Sequence, residues 1–163
     1  YNQSLSAPEA IRRIEALARF DLAWVEEPVP AEDLAGHARV RAASRVPIQT
    51  GENWWFEHDM AHALAAGACD CCMPDLMKIG GVTGWMRAMV QAAAASVPIS
   101  SHLFVEASAH VLPVTPRAQY LEYLDLAGAV LSAPPVPVDG TVTAQGPGLG
   151  MEWDEAAVAR YAY

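Results

Sequence analysis

The chain has 163 residues, 53% of them apolar or aromatic and 18% charged, with 19 acidic against 10 basic side chains and a net charge of −9. That composition belongs to a soluble, core-forming protein and excludes a transmembrane helix. Gln91, Ser96 and Pro98 interrupt even the alanine-rich stretch from Ala92 to Ala95, far short of the roughly 18 apolar residues a span needs. With no Lys/Arg cluster, nucleic acid is excluded as a partner, because backbone binding requires several phosphates to be neutralised together. Cys69, Cys71 and Cys72 lie too close in sequence to frame a disulfide scaffold, so a reducing, cytoplasmic setting is expected. Tyr1 is not an initiator methionine and no leader pattern precedes the first helix, so the chain reads as a piece of a longer one.

Ser6-Ala7-Pro8-Glu9 has the form of a capping box, and Ile11, Ile14, Leu17 and Ala18 recur at helical spacing. A helix ending near Phe20 is predicted. Ala23-Trp24-Val25 is a short apolar run that closes at Glu26-Glu27-Pro28, where proline stops a strand. The unit then repeats: a helix over 31–43, a strand over 48–51, a helix over 56–66 and a strand over 71–73. Thr83 is placed to cap a helix carrying Trp85, Met86, Met89 and Val90, followed by a strand over 99–101, a helix over 105–114 and a strand at Tyr120-Leu121. Strands alternating with helices imply parallel pairing and right-handed crossovers, in a doubly wound sheet or a (β/α)8 barrel. From Pro134-Pro135-Val136-Pro137 onward, through Asp139-Gly140 and Gly146-Pro147-Gly148-Leu149-Gly150, the texture is that of a tail and not another βα unit. The predicted division is a barrel portion over 1–131 and a C-terminal segment over 132–163.

Each predicted strand closes on an ionisable residue: Glu26, Glu52, Asp75, His102 and Glu122. In a parallel barrel the C-terminal strand ends share one face, where active sites are built. A carboxylate at the close of an apolar strand has to be hydrogen-bonded, paired or metal-bound. Glu26 and Glu52 are hard oxygen donors of the kind Mg²⁺ prefers. His102 is the one histidine at a strand end, and Asp75 on the preceding strand is placed to orient its ring, as a general base requires. Glu122 is open to either of two roles, protonated acid or further ligand.

Other motifs read as structural. His58-Asp59-Met60-Ala61-His62 has the spacing of a zinc helix motif, but aspartate replaces the glutamate base and a barrel helix faces away from the active rim. The cysteines lack a second pair and read as buried, inert side chains. Gly80-Gly81-Val82-Thr83-Gly84 lacks P-loop spacing and reads as a tight turn beside the pocket, while His37 and His110 fall on helices.

The strings Trp24-Val25-Glu26-Glu27-Pro28, Gly51-Glu52-Asn53-Trp54, Met73-Pro74-Asp75, Lys78-Ile79-Gly80-Gly81-Val82-Thr83-Gly84-Trp85, Ser100-Ser101-His102-Leu103-Phe104 and Leu121-Glu122 followed by Leu124-Asp125-Leu126-Ala127-Gly128 resemble the mandelate racemase family of the enolase superfamily. They occur in order and nearly end to end. The resemblance implies a TIM-type (β/α)7β barrel, an enolase-superfamily C-terminal domain here lacking its first three strands and the capping domain. It implies Glu26 and Glu52 as two of three Mg²⁺ ligands, Asp75 and His102 as the base dyad, and Glu122 as the acid bonded to the substrate carboxylate. Asn2, Lys78, Leu103 and Leu124 fall beside the substrate. The third ligand, an aspartate, would lie immediately before Tyr1, and a lysine pair serving as the opposite-face base would lie further upstream. A missing N-terminal part of the same protein and a symmetric homo-oligomer are implied partners, besides the small carboxylate substrate. The expected activity is α-proton abstraction from a mandelate-like 2-hydroxy acid by a Mg²⁺-dependent racemase. A sugar-acid dehydratase is the alternative, disfavoured by the apolar Leu103 and Leu124. A non-catalytic fragment that binds no metal is the third reading.

Overall fold

The computed structural model describes residues 1–162. Five short parallel strands, β1 (Val25–Glu26), β2 (Ile48–Thr50), β3 (Cys71–Cys72), β4 (Ile99–Ser101) and β5 (Ala118–Leu121), form one sheet in sequence order. Helices α1 (Ala7–Leu17), α2 (Leu34–Ala43), α3 (Phe56–Ala65), α4 (Gly81–Ala94) and α5 (Val105–Val111) alternate with them. The sheet curls strongly enough that Trp24 and Tyr120, at its two edges, pack with ring centroids 5.3 Å apart and planes tilted by 38°. This is the stave arrangement of an incomplete parallel barrel, with its strand ends on one rim.

Apolar side chains from the strands and flanking helices pack into two buried clusters, while Gln49, Thr50, Ser100 and Ser101 are buried polar groups within the strands. Ile48 and Ile99 are fully buried. Ile48 joins Val25, Val29, Val40 and Ile14 in one cluster, and Ile99 joins Cys72, Met60, Ile79 and Trp85 in another. The indole of Trp85 donates to the Thr115 hydroxyl at 2.8 Å and ties α4 to the turn before β5. At the opposite end of the strands, Asp70 accepts from the Ile48 amide and pairs with Arg41 at 2.6 Å.

The helix starts differ from the sequence reading in instructive ways. Ser6 occupies the N-cap of α1 but its hydroxyl makes no capping bond, and Glu9, the residue expected to close the capping box, pairs with Arg13 one turn on. Thr83 does not cap α4: the helix begins at Gly81 after Gly80, whose left-handed backbone (φ 104°) makes the entry turn. The α2 start falls at Leu34, because Asp33 accepts from the Gly36 amide and supplies the cap there. The helix expected to reach residue 114 gives way after Val111 to a tighter 3₁₀ turn containing Pro113, which cannot donate to the helical ladder. The tail holds an unforeseen short helix, α6 (Glu155–Tyr161), capped by Asp154. It returns the chain to Leu131, which bridges Trp153. The tail leaves a cavity of about 360 Å³ against α5, lined in part by His110, Leu131, Val136 and Met151. Among the described residues no helix is long and apolar enough to cross a membrane.

Candidate active site

The rim at the strand ends gathers the five ionisable residues predicted to meet there. Asp75 is buried, and its Oδ1 accepts from the backbone amides of Met77 and Lys78 at 2.8 and 3.0 Å. Its Oδ2 lies 2.8 Å from His102 Nδ1, and a backbone bridge between the two residues extends the β3–β4 pairing to the rim. Burial pushes the Asp75 carboxyl upward, but the His102 hydrogen bond and the two amides outweigh it, so its pKa falls below the ordinary value. An ionised carboxylate only accepts hydrogen bonds, so Nδ1 is the protonated ring nitrogen and Nε2 carries the lone pair of the neutral imidazole.

His102 Nε2 faces two further carboxylates, Glu52 Oε2 at 3.6 Å and Glu122 Oε2 at 3.9 Å. Desolvation alone would depress the imidazole pKa, but the bond to Asp75 and the charges of Glu52 and Glu122 raise it above the ordinary histidine value. Glu122 is fixed by the Leu103 amide, which donates to its Oε2 at 3.0 Å. That donor is available because Leu103 and Phe104 both adopt left-handed backbone, φ 47° and 46°, as the chain turns from β4 into α5.

The first two strand ends carry the oxygen-rich side. Glu26 stands in register with Gln49 on β2, whose amide donates to Glu26 Oε2 at 3.2 Å. Glu52 follows Gly51, where φ is 142° and a Cβ would come within 2.9 Å of the Met73 backbone. Only glycine lets β2 leave the sheet this close to β3. Among the described residues Glu26 has no ion-pair partner and Glu52 has only His102, so both carboxylates are left with charge to share. This donor set fits a hard divalent cation as two ligands of a larger shell. It does not form a complete cage, since no group of three His, Cys, Asp or Glu residues suited to a metal occurs among the described residues.

The remaining predicted residues are placed less directly. Asn2 is exposed with left-handed backbone (φ 48°), on a segment whose Gln3 and Leu5 amides donate to the carbonyls of Glu27 and Pro28 beside β1. Leu103 is half-buried next to His102, whereas Leu124 is 53% exposed. Lys78 does not stand free for a substrate: its Nζ donates to Asn53 Oδ1 at 2.9 Å. Asn53 and Glu27 lie beside these residues without being among those expected at the site. Glu27 is only 1% exposed, with Oε2 accepting from Asn53 at 3.0 Å and Oε1 buried without a partner. Desolvation raises its pKa, against the opposing Asn53 bond and with further help from Glu52. A charged doublet before proline signals that one member faces inward, but the sequence does not say which.

The motifs set aside in the sequence fall in two places. His58 and His62 are exposed on α3. All three cysteines are buried free thiols, and burial pushes Cys69 up to about 11 and Cys72 well above the ordinary value, so neither is a nucleophile at neutral pH.

The family profile described as "Enolase C-terminal domain-like" matches residues 1–157. An enolase from Bradyrhizobium, crystallised with magnesium and mandelic acid, superposes with a TM-score of 0.97 at 62% identity, over 98% of this chain and 44% of its own. The 3,6-anhydro-alpha-L-galactonate cycloisomerase of Streptomyces coelicolor is 34% identical over 99% of this chain and 45% of its own length. The L-talarate/galactarate dehydratase of Salmonella typhimurium is 31% identical over 76% of this chain and 31% of its own length. The chain thus spans less than half the length of these relatives. The α/β architecture, the parallel sheet with its rim of strand-end carboxylates and the extent of the match together show that the chain belongs to the enolase C-terminal domain-like family, as part of a mandelate racemase-type barrel.

Proposed function

We propose that the protein to which this chain belongs abstracts the α-proton of a 2-hydroxy carboxylate in a Mg²⁺-dependent reaction, and that it racemises a mandelate-like acid. The observation that carries this reading is the His102–Asp75 pair at 2.8 Å, with Nε2 turned toward the rim shared with Glu52 and Glu122. Glu26 and Glu52 would hold Mg²⁺ together with oxygen donors from outside this chain. When bound, the ion would supply positive charge to the substrate carboxylate and so acidify the neighbouring C–H.

The chain's own residues do the rest. Asp75 fixes the Nε2 lone pair and stabilises the imidazolium that forms when His102 takes the α-proton. Glu122, held by the Leu103 amide, donates a hydrogen bond to the substrate carboxylate when protonated, offsetting charge that builds there. Leu103 and Leu124 offer apolar contact to an aryl group, and Asn2 a polar one at the edge. The Bradyrhizobium enolase with mandelic acid supports an aryl substrate. The dehydratase relative favours a second reading, in which the same dyad abstracts a proton from a sugar acid and returns one to a departing hydroxyl, which leaves as water.

The test is deuterium exchange at the α-carbon of (R)- and (S)-mandelate in D₂O with Mg²⁺, run beside galactarate and galactonate. Exchange and interconversion of both mandelate enantiomers is the expected result. A 2-keto-3-deoxy product from a sugar acid, with mandelate inert, would replace racemisation by dehydration.

A further inference from the structure

We propose that Asn53 and Lys78 are positioning residues: a Lys78–Asn53 bridge sets the orientation of Glu52 for Mg²⁺ and locks it to the Asp75–His102 pair. This rests on the reading of Glu26 and Glu52 as Mg²⁺ ligands. Asn53 uses its amide in both senses. Nδ2 donates to Glu27 Oε2 at 3.0 Å and to Glu52 Oε1 at 3.1 Å, while Oδ1 accepts from Lys78 Nζ at 2.9 Å. An ammonium only donates, so it forces the amide oxygen toward itself and the amide nitrogen toward the two carboxylates. Lys78 therefore decides which way Asn53 points, and Asn53 decides which oxygen of Glu52 is spoken for.

Lys78 is also anchored at its backbone. Its N–H donates to Asp75 Oδ1 at 3.0 Å, and its carbonyl accepts from the Phe56 amide at 2.9 Å. A closed circuit results: Glu52 to Asn53, Asn53 to Lys78, Lys78 to Asp75, Asp75 to His102, and His102 Nε2 back across 3.6 Å to Glu52 Oε2. The interposed amide has a second consequence. A lysine paired directly with Glu52 would neutralise the carboxylate and compete with a metal. Acting through a neutral amide, it orients Glu52 and leaves the negative charge for the ion. Outer partners of this kind govern ligand geometry and metal affinity.

The test measures Mg²⁺ dissociation constants by titration calorimetry on the full-length protein and on N53L, K78M and the double variant, with circular dichroism to establish that each is folded. N53L is expected to bind Mg²⁺ roughly 10- to 100-fold more weakly. K78M separates positioning from charge: deleting a nearby cation would tighten Mg²⁺ binding by Coulomb's law, whereas loss of the bridge weakens it. The double variant is expected to bind no more weakly than N53L, since Lys78 acts through Asn53. Wild-type affinity in N53L, tighter binding in K78M or additive losses would overturn the proposal. Should N53L not fold, the sign of the K78M effect decides. If the wild-type protein itself binds no Mg²⁺, the assignment of Glu26 and Glu52 as ligands falls, and the bridge's role falls with it.

Discussion

One ring nitrogen of His102 is committed to Asp75 and the other faces the rim, so if it is the proposed base, changing it should separate chemistry from binding. His102→Asn is expected to lower α-proton exchange from one mandelate enantiomer by roughly 10²- to 10⁴-fold, the usual contribution of a positioned base. Mg²⁺ affinity should stay near the wild-type value, which calorimetry on the same preparation checks. Glu52→Gln should do the reverse in order, weakening Mg²⁺ first and exchange as a result. A different histidine governs stability. His37 is buried on α2 with Nε2 unpartnered, and desolvation holds its pKa below the ordinary 6.5, only partly offset by Asp33. Below pH 6.5 the unfolded chain takes up this proton before the folded one does. Stability is therefore whole above 6.5 and declines as pH falls toward the folded-state value, by up to about 1.4 kcal/mol per unit. His37→Leu should flatten the difference between urea midpoints at pH 7.5 and pH 5.5; an unchanged difference would exclude His37 as its source. The strand-end charges were legible in the sequence because an ionised group closing an apolar run demands a partner. Asn53 was not, because a neutral amide leaves no mark in charge or periodicity until its neighbours are seen.

At the scale of elements, the site depends on how strands leave the sheet. Gly51 combines φ of 142° with a Cβ position 2.9 Å from Met73 backbone atoms, so neither conformation nor space admits a side chain. Gly51→Ala is expected to cost about 1 to 3 kcal/mol, read from the urea midpoint, as the β2 end moves away from β3. Because Glu52 is the next residue, Mg²⁺ affinity should fall with it. Elements of this kind were readable in their order and type, since βα alternation is carried by apolar periodicity. Their starts were not. A serine and a threonine at cap spacing signalled caps at α1 and α4, yet Ser6 makes no capping bond and Gly80 makes the α4 turn by backbone conformation alone. The short α6 escaped notice because Ala156, Ala157 and Val158 after Asp154 are too few to show a period.

For the whole molecule, the decisive feature is a curled sheet with two ends. β1 and β5 each pair on one side only within the strand order, and β5 is largely exposed. Around β5, Tyr120, Tyr123, Leu124 and Leu126 present apolar surface to solvent. Unpaired strand edges beside exposed apolar side chains are templates for association, and barrels remove them only by closing. The chain covers 44% of the Bradyrhizobium enolase, and closing this sheet would take strands from outside residues 1–163. Residues 1–163 expressed alone should therefore self-associate, giving a light-scattering mass well above 17.5 kDa and strong binding of an apolar dye. A protein in which further strands pair with both edges should bind little dye. Charge opposes this association, because a net −9 spread over the surface repels like copies. Raising salt screens that repulsion while leaving apolar contact intact, so self-association of the isolated residues should grow with ionic strength. A monodisperse 17.5 kDa species at high salt would mean that the curl, with Trp24 packed against Tyr120, shields the edges by itself.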